Sequence, residues 1–403
     1  MLVTSFDPSK VMLPPRIASL LSQIRDQIAT NNLERAEDEQ RIPVEVYFST
    51  RQYEAEKSSL FSRYPLIVAH GNDLQPGQAI AHDAYGVPLL LTRDADGVVH
   101  CFLNVCRHRG MRLLDDQTAK TRQGLACPYH GWSYHLNGKF RHMLHADAFD
   151  ICPTGARDLV ALPCAERAGL IWVVPSPAAE LNLDAYLGDL LAELNYYDVA
   201  QHVTYRVVEN EYAANWKLIV DAFLEAYHIR VLHRDTIHPF FLDGVSVGGL
   251  MEKSGLQGPH FSSMVARRPA QEWQAQGSPE PRNDAELREL VTPSHIIFPN
   301  TIAIYHPDYV SLISLFPTGP ESLRWVHRML IPKEKATPGW EAHWEKTLAL
   351  IEKGVFQKED IHTAVGIQQG LRTGANAYLT VGRNEAALAD FHREVHAATL
   401  SAC

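Results

Sequence analysis

Cys106-Arg-His108 and Cys127-Pro-Tyr-His130, separated by residues 109–126, each offer one thiolate and one imidazole. Structural zinc sites usually set two cysteines close together and two histidines close together. A 2Fe-2S cluster held by two Cys on one iron and two His on the other instead draws one ligand of each kind from each fragment. The mixed pairs at Cys106, His108, Cys127 and His130 therefore favour such a cluster over zinc, and their spacing suits the tips of two neighbouring hairpins.

The second fragment continues Gly131-Trp-Ser-Tyr-His-Leu-Asn-Gly-Lys139, so the stretch from Cys106 resembles the cluster-binding loops of Rieske proteins. The text on either side reads as all-β. Short runs such as Tyr64–Val68, Val87–Thr92 and Val98–Leu103 are punctuated by Asp96-Gly97 and Asn137-Gly138, both strong hairpin signals. The strand Gly169–Val174 closes this region, and Pro175-Ser-Pro177 marks its end.

The remaining composition is that of a globular protein of 403 residues, 46% hydrophobic and 21% charged, long enough for two domains. A formal charge of −10 argues against a phosphate-binding surface, so no nucleic-acid partner is expected. The first forty residues carry Asp7, Glu34, Glu37, Asp38 and Glu39 and lack the apolar run of a secretory signal. Apolar stretches such as Leu170–Val174 fall far short of the roughly 20 residues that span a bilayer. A soluble, cytoplasmic protein without a membrane partner is expected. Six cysteines do not make a disulfide scaffold, and Cys101, Cys152, Cys164 and Cys403 read as packing residues.

Between Pro14 and Arg35, Ile17, Leu20, Leu21, Ile24 and Ile28 recur at helical intervals. The sequence divides into an N-terminal helical segment, 1–42, packing on the larger domain, an all-β cluster domain, 43–176, and that larger domain, 177–403. The last alternates strands (Tyr205–Glu209, Tyr309–Leu315) with helical stretches near 213–232 and 338–372, an α+β order. Residues 253–290, rich in Gln, Pro, Gly and charge, read as a long exposed excursion.

The larger domain carries a second informative stretch, Asn215-Trp-Lys-Leu-Ile-Val-Asp221-Ala-Phe-Leu-Glu225-Ala-Tyr-His228-Ile-Arg-Val-Leu-His233. On a continuous helix Asp221, Glu225 and His228 share one face. His233 points about 140° away from His228, so both can reach one metal only if the helix ends, unwinds or bulges between them. Two His and one carboxylate on a triangular face form the usual set of a mononuclear non-haem iron site. His228 and His233 supply the imidazoles, and the carboxylate must come from elsewhere in the chain.

The conjunction of the mixed Cys/His pairs with Asn-Trp-Lys and Glu-x-Tyr-His-x4-His closely resembles the α subunits of Rieske non-haem iron oxygenases of the ring-hydroxylating family. The resemblance implies an all-β Rieske domain and a larger catalytic domain whose antiparallel sheet is flanked by helices, in a helix-grip-like arrangement. It implies that the third ligand of mononuclear Fe(II) comes from a C-terminal helix, where Gln357-Lys-Glu-Asp360 matches; Asp360 is preferred over Glu359, about 100° away on an α-helix. It also implies a homotrimer in which the second cluster histidine, His130, faces Glu225 of a neighbouring chain. Glu225 would bond His228 and bridge electron transfer. An upstream NAD(P)H-dependent reductase is implied, with or without a ferredoxin or a small β subunit.

Two positions depart from the aromatic dioxygenase pattern. The bridging residue is Glu225 rather than Asp, which looks similar to members acting on quaternary amines, and Asp221 stands where Asn is common. Asp221 either hydrogen-bonds near the site or pairs with Lys217. Phe223, Ile229, Phe240, Phe241 and His295–Asn300 are candidates for an apolar pocket. The expected activity is O2-dependent hydroxylation of a small organic, aromatic substrate. Oxidation or demethylation of a quaternary amine is the alternative, and an electron carrier without oxygenase chemistry is a distant third.

Overall fold

The computed structural model describes residues 13–400 except 34, 85, 116–119, 122, 254 and 255; Cys403 lies outside the described residues. The chain forms two compact units, Lys57–Leu183 and Met1–Glu56 with Asp184–Cys403.

Lys57–Leu183 is all-β. A five-stranded sheet runs Ala161–Leu162, Val99–Leu103, Val87–Arg93, Gln78–Ala84, Lys120–Thr121, and a three-stranded sheet pairs Cys164–Arg167, Leu170–Val173 and Leu66–His70. A third, small sheet of Leu125–Ala126, Ser133–Tyr134 and Phe140–His142 carries the second Cys/His fragment at its first turn. The two Gly turns expected from the sequence are present, with Gly97 and Gly138 at φ of 84° and 81°. Gly138 has no alternative, because a Cβ there would meet the Phe102 ring at 2.3 Å.

The larger unit is built on a seven-stranded antiparallel sheet in the order His202–Tyr212, Ser322–Pro332, Val310–Gly319, Thr301–Tyr305, Val291–Ile297, Phe261–Arg267, Phe241–Leu250. Its central strands are buried nearly throughout, because helices cover the sheet. The helix Trp216–Phe223 packs on Val310–Gly319 and against the helical run Ala349–Leu371. The N-terminal helix Pro15–Thr30 buries Ile17, Leu20, Leu21 and Ile24 and packs on the Phe241–Leu250 and Phe261–Arg267 strands.

Residues 43–56 belong to this larger unit rather than to the β unit. Tyr47 and Glu56 explain it: the tyrosine hydroxyl donates to Asp221, and Glu56 is buried against Lys217 and Trp216. Residues 253–290 are likewise not an excursion. They contain a full strand of the sheet, Phe261–Arg267, and two helices, Pro269–Ala275 and Asp284–Leu290. Phe261, Met264, Ala266 and Leu287 are buried there, and the Pro and Gln around them had obscured a short alternating strand. The 338–372 stretch is helical as expected. From Ala349 to Ile361, however, it is wound as a π-helix, with i→i+5 bonds and a wider turn. Among the described residues, no helix is long and apolar enough to cross a membrane.

Candidate metal centres

The two cluster fragments fold into matching loops. Cys106 N–H donates to Met111 C=O and Gly110 N–H to Cys106 C=O; Cys127 N–H donates to Trp132 C=O and Gly131 N–H to Cys127 C=O. Gly110 and Gly131 close the turns at φ of 78° and 71°, a region that favours glycine. Each loop thus ties its cysteine down by two backbone bonds and leaves the side chains to face inward.

Cys106 and Cys127 are buried in a core with Trp132, Tyr134 and Leu125. The His108 ring stacks on Trp132 at 4.9 Å and stands 4.7 Å from the His130 ring. Tyr134 Oη accepts from Arg107 N–H and lies 3.5 Å from Cys106 Sγ. Burial, and after it the neighbouring Cys106 sulfur, push the Cys127 thiol up, so two sulfurs are crowded where water cannot solvate a thiolate. His108 Nδ1 and His130 Nδ1 are both buried with no hydrogen-bond partner. Two orphaned imidazole nitrogens beside two buried sulfurs are the donor set a Rieske cluster takes, so the residues fit it.

In the larger unit Asn215 caps the helix Trp216–Phe223, its side chain accepting from Lys217 N–H at 2.9 Å. This helix stops at Phe223, earlier than expected. Glu225 explains the stop: its carboxylate accepts the backbone N–H groups of Tyr227 and His228 and turns the chain. Asp221, Glu225 and His228 are therefore not one face of a continuous helix. A break falls before His228 as well, and the two histidines flank a short helix, Ile229–Leu232, that ends before His233 as expected.

His228, His233 and Asp360 each bring one donor atom within 4.8 Å of the others. Asp360 Oδ1 lies 3.1 Å from His233 Nε2 and 3.8 Å from His228 Nε2. The opposite ring nitrogens are both held by carboxylates, His228 Nδ1 by Glu225 and His233 Nδ1 by Glu359 at 2.7 Å. Such partners fix the tautomer and aim Nε2 at a metal. Burial lowers the His233 pKa, but Asp360 and then Glu359 outweigh it and leave His233 above the ordinary imidazole range. Without metal, a proton is favoured where a cation would sit; the donor set fits Fe(II).

Glu359, set aside by α-helical geometry, thus faces the same ring as Asp360 because the π-helical turn brings adjacent side chains closer in angle. Thr236 also donates to it, at 2.8 Å. Asp221 does not pair with Lys217, which is bound to Glu56 at 2.6 Å. It accepts from Tyr47 Oη at 2.7 Å and lies 2.9 Å from His392 Nε2, two partners with no sequence signal because both are remote in the chain.

Two of the three donors, His228 and Asp360, line both of two cavities. One, of about 640 Å³, is lined by Asp221, Glu225, His228, Asp360 and Glu385. Burial, then the Glu225 and Asp221 charges, raise the Glu385 carboxyl. The other, of about 520 Å³, contains His228, His233 and Asp360 together with Phe223, Ile229, Phe240 and Phe241, the four sequence candidates. Tyr309 and Phe356 extend its aromatic wall, and the sheet contributes Ser263, Val265, Arg267, Thr292, Ser294 and Ile304. His295–Asn300 does not line it. His295 is buried between Glu193 at 2.7 Å and Tyr305 at 2.9 Å, which consume both ring nitrogens.

Residues 195–401 match the ring hydroxylating alpha subunit (catalytic domain) family, and residues 64–155 match the Rieske 2Fe-2S domain. The chain is 28% identical over 349 residues to the carnitine monooxygenase oxygenase subunit of Acinetobacter pittii, covering 82% of this chain and 85% of that one. In structure it resembles a quaternary ammonium Rieske monooxygenase in complex with L-carnitine (TM-score 0.72, 22% identity, 93% and 97% of the two chains). It resembles naphthalene 1,2-dioxygenase from Rhodococcus sp. as closely (TM-score 0.75, 18% identity, 97% and 99%). The fold is common to both and does not discriminate between their substrates.

Proposed function

The chain belongs to the ring-hydroxylating α-subunit family of Rieske non-haem iron oxygenases, and within it we propose a monooxygenase that oxidises a quaternary-ammonium or N-methylated substrate. The observation that carries this reading is the relationship over 82% of the chain to a carnitine monooxygenase subunit, joined to Glu225 in the position between His228 and the first cavity. The aromatic substrate expected first from the sequence gives way to the alternative. The second cavity suits it: Phe223, Phe240, Phe241 and Tyr309 are among its lining, and aromatic rings attract a cation that has shed its water.

Iron at the His228–His233–Asp360 set would supply O2 activation, one oxygen atom inserting into a substrate C–H bond and the other leaving as water, with two electrons from NAD(P)H through a reductase and the cluster. The chain's own residues do the rest. Glu225 and Glu359 hold the two imidazoles in one tautomer. Phe223, Ile229, Phe241 and Phe356 give the substrate side an apolar wall, and Glu225 lines the other cavity, where a neighbouring chain's His130 would approach in a trimer. Asp221, held by Tyr47 and His392, positions the helix that precedes Glu225.

Iron content tests the two-centre reading. Loaded protein should carry the two irons of the cluster plus a third, and Asp360→Ala should lose the third while keeping the Rieske spectrum. A fully loaded preparation with cluster iron alone would make the chain an electron carrier.

A further inference from the structure

The cavity beside the candidate iron site has one lysine or arginine among its described lining residues, Arg267. Strand alternation puts it there. Ser263, Val265 and Arg267 share the cavity face of Phe261–Arg267, while Arg268 points away and gives its Nε–H to Pro239 C=O at 2.6 Å. Arg267 Nε is buried with no hydrogen-bond partner, and among the described residues the guanidinium makes no ion pair. It lies over the Phe241 ring, 5.9 Å from the centroid. Glu289 and Asp308 are the carboxylates whose charges reach it without bonding it; Glu289 lies off the cavity wall, and Asp308, on the wall, is engaged with His343 at 2.7 Å.

A second unsatisfied group faces the same space. Thr292 is buried, lines the cavity, and its Oγ1 has no partner. The register pairs Val265 with Thr292, so Thr292 is the diagonal neighbour of Arg267 on that face of the sheet. Leaving the Arg267 Nε–H and a hydroxyl buried without partners is costly, and an arriving anion relieves both at once.

We propose that Arg267, with Thr292 beside it, receives a carboxylate on the substrate, so that the molecule oxidised is an ammonium carboxylate rather than a simple cation. This rests on the quaternary-ammonium reading and adds its second charge. The carboxylate end is held at the sheet, and the N-methyl end is left to the aromatic wall and the His228–His233–Asp360 side. A bare cation would meet Arg267 as a like charge.

The test uses the loaded holoenzyme with two matched pairs: 4-(trimethylammonio)butanoate and its methyl ester, and benzoate and benzamide. Binding is read by calorimetry and turnover by product formation. Arg267→Gln should weaken binding and raise KM for the carboxylate member on the order of 10–100-fold, with kcat and benzamide little changed and the cationic ester bound no more weakly than before. Arg267→Lys should recover part of the loss, and Thr292→Val should lose less than Arg267→Gln. Equal effects on both members of a pair, or a wild type that binds neither carboxylate, would overturn the proposal. If the charge-selective loss appears in the benzoate pair while the ammonium pair does not bind, the ammonium carboxylate is excluded and the quaternary-ammonium reading fails with it. If the ammonium pair is turned over but Arg267→Gln is indifferent to charge, that reading survives and this inference fails.

Discussion

Glu359 Oε2 lies 2.7 Å from His233 Nδ1, on the side of the ring opposite Asp360. The imidazole is clamped between two carboxylates from adjacent residues of one π-helical turn, one aimed at the metal position and the other outside it. Glu359→Ala should lower iron retention and activity on the order of 10–100-fold while the cluster spectrum stays unchanged. Competition against an iron chelator measures it; retention equal to wild type would remove Glu359 from the site.

Glu225 has three tasks, accepting from His228 Nδ1, from His228 N–H and from Tyr227 N–H. Glu225→Gln keeps the length and loses the charge. Both metal centres should remain, and oxidation of the pre-reduced cluster in a single turnover should slow at least about tenfold. An unchanged rate would leave Glu225 a turn-forming residue with no part in electron transfer.

How much of this was legible follows from what kind of signal each residue leaves. Cys106, His108, Cys127 and His130 are local motifs whose spacing carries their chemistry, and the Gly turns around them sit next to them in sequence. His228 and His233 were equally local. Asp360 needed the family resemblance, because only folding brings it to the histidines. Asp360 is the ligand-side carboxylate as expected, but the bond from Glu359 to the same imidazole depends on π-winding that local spacing does not signal, and the helix stops before Glu225 because that side chain caps its own backbone at a spacing a helical residue shares. Tyr47, His392 and Arg267 left no trace at all. The partners of the first two lie far away in sequence, and Arg267 Nε has no hydrogen-bond partner among the described residues.

Lys217 and Glu56 form a pair 1% exposed on each side, with Trp216 Nε1–H donating to the same carboxylate at 2.9 Å. Lys217→Met leaves a buried, uncompensated charge and should cost about 3–5 kcal/mol. Adding Glu56→Leu should recover much of it. Denaturant melts of the two variants check this; additive losses would show that the pair is not coupled.

His260 is buried and satisfied as a neutral ring: Phe298 N–H donates to Nδ1 at 3.2 Å, and Nε2–H donates to Tyr186 C=O at 3.0 Å. Burial, chiefly, lowers its pKa to about 4. A depressed folded value means the unfolded chain binds the extra proton first. Its contribution to stability is present above the ordinary imidazole pKa of about 6.5 and is lost as pH falls toward 4. His260→Gln should flatten that part of the acid limb in melts between these values, though at lower stability overall; an acid limb of wild-type steepness would contradict it.

The most direct test of the account is a single turnover of reduced, iron-loaded protein with O2 and a panel of N-trimethylated carboxylates set beside benzene, naphthalene and benzoate. Oxidation of the Rieske cluster should be coupled to a hydroxylated or N-dealkylated product from the ammonium substrates. Coupled oxidation with the aromatic compounds, and none with the ammonium set, would contradict it.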